Sequence, residues 1–209
     1  MIEAGIAWPL IRQKLNFQTS SLSGCLISHE HGDHAKAVRD AMKGGVDCYM
    51  SRGTADALKV SGHRVKTLQS KTLVEIGGFK VLPFDTRHDA AEPLGFLIAD
   101  SVGEKLLYLS DTAYSPYRFD GLSIIMCECN YSLEILDANV SAGVIPATLR
   151  NRIIRNHFGI ENVFAFLKAN DLRHCREIIL LHLSSDNSDA AAFKREIAEL
   201  TGLPVYIAG

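Results

Sequence analysis

Between Leu26 and His34 the sequence reads Leu-Ile-Ser-His-Glu-His-Gly-Asp-His, which places four metal-ligating side chains, His29, His31, Asp33 and His34, within six residues. A short apolar run ends at Ser28, so these residues fall on a tight loop between a buried strand and a helix. On such a loop His29 and His31 can face one position while Asp33 and His34 reach a second nearby. Two cations about 3.5–4 Å apart, held by imidazole and carboxylate, clamp a hydrolytic water and the oxygens it attacks or releases. A solvated polar loop is the bland alternative, but this pattern arises by chance in only about one chain in a thousand.

A centre of this kind needs ligands from distant parts of the chain, each expected at the end of a strand. Three candidates meet that requirement. His88 follows the apolar run 79–84, Asp111 follows Leu106-Leu107-Tyr108-Leu109-Ser110, and His182 follows Ile178-Ile179-Leu180-Leu181. A carboxylate such as Asp111 suits a bridging position because each oxygen can bind one cation. Taken singly, each has an ordinary explanation as a hydrogen-bonded strand end; taken in this order they point to one site.

The elements that must position these residues are short. Strands are expected over 24–28, 71–76, 79–84, 95–100, 105–110, 123–127, 177–181 and 204–208, where Val, Ile, Leu, Phe and Tyr are bounded by turn residues. Helices are expected over 33–42, 53–60, 146–155, 160–169 and 189–200, where apolar residues recur every three or four positions. Gly77-Gly78 and Ser101-Val102-Gly103 read as hairpin turns. Interleaved strands and helices together with two hairpins call for an α/β (α+β) chain with mixed sheets. With no linker, repeat or low-complexity tract, residues 1–209 read as one domain.

Composition narrows the function. The chain is 47% hydrophobic and 22% charged, ordinary for a globular protein, and its net charge of -2 excludes a global basic field. Any nucleic acid must therefore be held by a local patch. Five scattered cysteines, Cys25, Cys48, Cys127, Cys129 and Cys175, read as reduced, buried thiols rather than a zinc-ribbon or disulfide framework. Neither a signal peptide nor an apolar run of membrane-spanning length is apparent, so a cytoplasmic protein with no membrane partner is expected.

The segments Ser-His-Glu-His-Gly-Asp-His (28–34), His-Asp-Ala-Ala-Glu-Pro-Leu-Gly-Phe (88–96), Leu-Ser-Asp-Thr (109–112), Glu128-Cys129-Asn130 and His-Leu-Ser-Ser-Asp-Asn (182–187) together resemble the metallo-β-lactamase superfamily, and within it the YycJ/WalJ/VicX branch of DNA-directed exonucleases. The first segment is shared across the superfamily; the second and last are far more restrictive. The resemblance implies a four-layer αβ/βα sandwich of two mixed sheets. It also implies two divalent metal ions, with zinc, manganese and iron all suited to the ligands. His29, His31 and His88 would hold one, Asp33, His34 and His182 the other, and Asp111 would bridge them. Asp33 would also position the attacking water. The implied reaction is hydrolysis of a DNA phosphodiester by a metal-bound hydroxide.

The resemblance assigns a substrate-phosphate role to His157, which ends the run Arg150-Asn151-Arg152-Ile153-Ile154-Arg155-Asn156-His157. Arg150, Arg152 and Arg155 are accordingly candidate phosphate contacts, with a solvated helix face as the alternative. Glu128 and Asn130 are expected to support the ligands or bond to loop backbone. His63 and His174 lack such context. The family pattern Ile-Asp-Ala-Gly appears as Ile2-Glu3-Ala4-Gly5 almost at the start. Glu3 thus replaces an aspartate that supports the ligands, and the first sheet is expected to have a shortened N-terminal edge. That edge calls either for pairing in a homodimer or for cover by residues 1–8. The same centre could serve a hydrolase of small esters, thioesters or lactones, and a malformed centre would leave a silent DNA- or protein-binding module.

Overall fold

A computed structural model describes residues 1–208, which form two compact units: Met1–Asp85 with Ala90–Phe96, and Thr86–Asp89 with the chain from Leu97 onward. The first unit contains, in order, α1 (Trp8–Lys14), β1 (Cys25–Leu26), α2 (Gly32–Ala35), α3 (Val38–Lys43), β2 (Cys48–Ser51), α4 (Arg52–Ala57), β3 (Val65–Leu68), β4 (Val74–Ile76) and β5 (Phe79–Asp85). Strands β1, β2 and β3 pair side by side and in parallel, Cys25 opposite Cys48 and Cys48 opposite Val65. Ile27, Val38, Ala41 and Met50 fill the core beneath them, all essentially without solvent contact. The expected Gly77-Gly78 turn joins β4 to β5 with both glycines at positive φ, the geometry a two-residue hairpin demands.

The sequence pattern 33–42 predicts one continuous helix, but the chain forms α2 and α3 with a break between them. Tertiary bonds explain the break. The Ala37 N–H donates to the carbonyl of Ala4 at 2.8 Å, and the His34 carbonyl accepts from Ala4 N–H at 2.8 Å. The segment around Ala4 therefore takes hydrogen bonds that an unbroken helix would keep for itself. Strands β2 and β3 and helix α1 escaped the sequence reading because they are short: β2 and β3 have four residues each, and α1 buries only Ile11.

The expected edge problem is solved within the chain. Met1 donates from its amino terminus to the Gly24 carbonyl, Leu26 N–H donates to the Met1 carbonyl, and Glu3 N–H donates to the Leu26 carbonyl, all within 2.9 Å. The outer edge of β1 is thus covered by residues 1–3, one of the two outcomes the sequence called for. Pairing between two copies is not needed to satisfy it.

Strand β6 (Leu94–Ala99) crosses from the first unit into the second, which continues with β7 (Lys105–Leu109), β8 (Ile124–Glu128), α5 (Leu133–Ser141), α6 (Ala147–Asn156), α7 (Ile160–Ala169), β9 (Glu177–Leu181), α8 (Ala190–Thr201) and β10 (Val205–Ile207). Its strands lie in the order β10-β9-β8-β7-β6, and β7 through β10 run parallel. Ile125, Cys127, Ile178 and Leu180 are completely buried, as the apolar runs of β8 and β9 require of strands inside a parallel sheet. All five cysteines are free and buried, and burial pushes the Cys127 thiol up to about 12. Such thiols are packing groups. Among the described residues no helix is long and apolar enough to cross a membrane.

One consequence can be measured directly. A Cβ built on Gly5 would stand 1.5 Å from the Asp33 carbonyl oxygen, a backbone atom that cannot swing aside. Gly5→Ala should therefore destabilise the protein by about 3 kcal/mol, lowering Tm by roughly 6–12 °C in a scanning calorimeter. An unchanged Tm would show that residues 1–5 do not dock on the histidine loop.

Candidate metal centre

The histidine loop of the first unit is ordered by hydrogen bonds before any ligand is considered. The Ser28 hydroxyl lies 2.9 Å from His29 Nδ1 and 3.4 Å from His34 Nδ1, fixing both rings from below. His29 Nε2 and His31 Nδ1 face each other at 3.1 Å, and His34 Nε2 lies 3.5 Å from an Asp33 oxygen. His29 and His34 are buried, whereas the Asp33 side chain is more than half exposed. Both oxygens of Glu3 lie 3.3 Å from the Ser28 N–H, and one lies 3.4 Å from His34 Nδ1. Glu3 holds a left-handed backbone (φ 61) to reach there. The longer side chain in place of aspartate thus still meets the loop.

In the second unit the parallel register brings three strand ends together. Leu109 pairs with Cys127, Cys127 with Leu180 and Glu128 with Leu181, so the residues just beyond β7 and β9 flank the end of β8. Asp111, Glu128, His157 and His182 each offer a ligand atom, all within 4.8 Å of one another. Asp111 is 2% exposed and Glu128 is fully buried. His182 Nδ1 makes a short bond to Asp111, and its hydrogen bonds to Asp111 and Glu128 outweigh burial to raise its pKa to about 10. Asp111 (φ 49) and His182 (φ 52) both occupy the left-handed region, a strained backbone that persists only where the surroundings impose it.

His88 is oriented independently. Its Nδ1 lies 2.9 Å from the Asn156 carbonyl, so Nδ1 carries the proton and Nε2 the lone pair, 3.4 Å from Asp111 and 3.5 Å from Asp89. Burial lowers the pKa of this ring, opposing the pull of Asp111 and favouring the neutral form a metal requires. The donor set therefore fits a divalent cation: His88 with its Nε2 lone pair turned toward Asp111, and the buried carboxylates of Asp111 and Glu128 beside the imidazoles of His157 and His182.

A profile described as the β-lactamase superfamily domain matches residues 3–134, well over half the chain. The chain belongs to the metallo-β-lactamase superfamily. It is 28% identical over 204 residues to the exodeoxyribonuclease YycJ of Bacillus anthracis, covering 90% of this chain and 75% of that one. It is 27% identical over 218 residues to the exodeoxyribonuclease WalJ of Streptococcus pneumoniae, covering 96% of this chain and 77% of the other. Among solved structures, the metallo-β-lactamase fold protein YhfI of Bacillus subtilis aligns over 99% of this chain and 83% of its own with a TM-score of 0.73 at 16% identity, which shows the shared fold. The fold expected from the sequence motifs is thus the fold of this superfamily member.

The remaining candidate residues divide by surroundings. Glu128 accepts from the N–H groups of Thr112 and Phe158, both at 3.0 Å, and its other oxygen lies 2.6 Å from His157 Nδ1. Burial opposes charge on His157, but the Glu128 contact prevails and raises its pKa. Asn130 donates from its amide to the His182 carbonyl at 2.8 Å, the backbone role expected of it. Of the arginines on α6, Arg150 is engaged by Asp137, Arg152 pairs with Asp89 at 3.1 Å, and Arg155 is exposed. The sequence reading missed Ser28, which directly precedes the motif and was legible as a polar strand end. It also missed the Asn156 carbonyl, a backbone atom that no residue type announces.

Glu128 ties this cluster to two backbone N–H groups and an imidazole. Glu128→Ala would strand two buried N–H donors and should cost about 3 kcal/mol in urea denaturation, whereas Glu128→Gln, which keeps one acceptor oxygen, should cost clearly less. Equal losses for the two would mean that the carboxylate does not position the strand ends.

Proposed function

We propose that this chain is a metal-dependent phosphodiesterase acting on nucleic acid, an exonuclease on DNA. The observation that carries the reading is the cluster of Asp111, Glu128, His157 and His182, found in a chain that aligns over nine-tenths of its length with proteins named exodeoxyribonucleases. The residues that would hold divalent ions are His29, His31, Asp33 and His34 of the first unit and His88, Asp111 and His182 of the second. Such ions, when bound, activate water near neutral pH and neutralise charge building on a phosphate.

The chain's own groups supply the rest. Asp33, the most exposed of the proposed ligands in the first unit, takes the proton of the attacking water on its carboxylate. His157 is held through Nδ1 by Glu128, which leaves Nε2 as its donor toward a phosphate oxygen. A donor aimed there matters most as charge accumulates in the transition state. Arg152 and Arg155 on α6 supply charge for neighbouring phosphates.

Purified protein reconstituted with zinc, manganese or iron and offered end-labelled linear DNA beside a chromogenic carboxylic ester tests the proposal; the expected result is progressive shortening of the DNA. Asp111→Ala should halve the metal content by elemental analysis, because it removes the one buried carboxylate among the proposed ligands. His157→Ala should slow DNA turnover roughly 100- to 1,000-fold with metal content retained. Exchange of Arg152 and Arg155 for Ala should weaken DNA binding and make its salt dependence shallower by about 2 in log–log slope. Ester hydrolysis without DNA cleavage would instead establish a small-molecule hydrolase.

A further inference from the structure

A cleft of about 450 Å³ in the first unit contains none of the proposed ligands, yet its walls carry Arg39, Lys43, Lys59, His63 and Arg64 and no carboxylate. Two separate stretches of chain create it. Helix α3 presents Arg39 and Lys43 one turn apart, and the loop after α4 delivers the other three. That loop is shaped by left-handed backbone at Lys59 (φ 53) and Gly62 (φ 105), and the Arg39 guanidinium fastens it by donating to the carbonyls of Leu58 and Lys59.

Neighbouring acids neutralise only part of this charge. Asp47 is shared between Arg64 at 2.8 Å and Lys66 at 3.6 Å, leaving a surplus cation. Asp40 reaches Lys43 only at 3.8 Å, with both side chains exposed, where water screens the pair. Arg39 meets neutral carbonyls, and Lys59 has no acidic partner among the described residues. The unit as a whole carries eleven Lys and Arg against nine Asp and Glu, whereas the second carries eleven against fifteen. A positive cleft thus stands out in a chain of net charge -2.

Cations strung along an open cleft suit a run of phosphates better than one small anion, which needs donors converging on a point. We propose that this cleft holds the backbone of the nucleic-acid strand at phosphates away from the bond being cut. The inference rests on reading the substrate as DNA, and it gives the enzyme a grip on the polymer separate from its chemistry.

The test measures binding without turnover. Fluorescence anisotropy of labelled single-stranded and duplex DNA, in the presence of a chelator, compares the parent with a Lys43→Gln, Lys59→Gln double variant. Both side chains are exposed, so the thermal melt should not move. Affinity should fall roughly tenfold at about 50 mM salt, and the slope of log K against log salt should become shallower by about 2. A Lys43→Arg, Lys59→Arg variant should keep the parental slope, showing that charge rather than shape is read. Parental affinity and slope in the glutamine variant would overturn the cleft. Tight, salt-sensitive binding by a parent that never cleaves DNA, lost in the glutamine variant, would overturn the exonuclease reading and leave the cleft standing.

Discussion

Two buried carboxylates, Asp111 and Glu128, set the terms for the second unit. A carboxylate removed from water is costly unless hydrogen bonds or positive charge replace the solvent. Glu128 meets that demand with two backbone N–H groups and an imidazole, while Asp111 meets it with His182 and the Ser110 hydroxyl. The arrangement is possible because β7, β8 and β9 are parallel, so their carboxyl ends lie at one edge and residues separated by dozens of positions become neighbours. Strained backbone at Asp111 and His182 is then the cost of turning both side chains inward at the same level.

The candidate ligands stood out in the sequence because metal ligation demands few residue types in a narrow spacing. His29, His31, Asp33 and His34 could be read as a group, and His88, Asp111 and His182 could be added because each follows an apolar run. Strands β8 and β9 were legible because their residues alternate between fully and partly buried, which leaves nearly continuous apolar runs. What could not be read was decided by contacts between distant segments. The break between α2 and α3 depends on Ala4, and the tautomer of His88 depends on a carbonyl sixty-eight positions away.

The restrictive motifs owe much of their content to architecture rather than to reacting groups. In the segment beginning at His88, Glu92 accepts from the Gly53 N–H at 2.6 Å, and a Cβ on Gly95 would collide with the Phe84 ring at 2.4 Å. In the segment beginning at His182, the Ser184 hydroxyl accepts from the Asn187 N–H at 3.2 Å, and the Asn139 amide donates to Asn187 at 3.0 Å. These residues fix the turns from which His88 and His182 project. A motif that names a family can therefore be mostly scaffold, and its presence does not by itself specify a mechanism.

Charge is divided unevenly between the two units. The second carries fifteen Asp and Glu against eleven Lys and Arg, a balance that does not favour phosphate. Divalent cations bound beside Asp111 would offset that balance where the phosphate is proposed to react. Fixed cations on Arg39, Lys43 and Lys59 act differently, because their attraction for phosphate does not depend on metal occupancy. On the proposed reading, affinity for the polymer and competence for the chemistry rest on different residues, and each can be lost without the other.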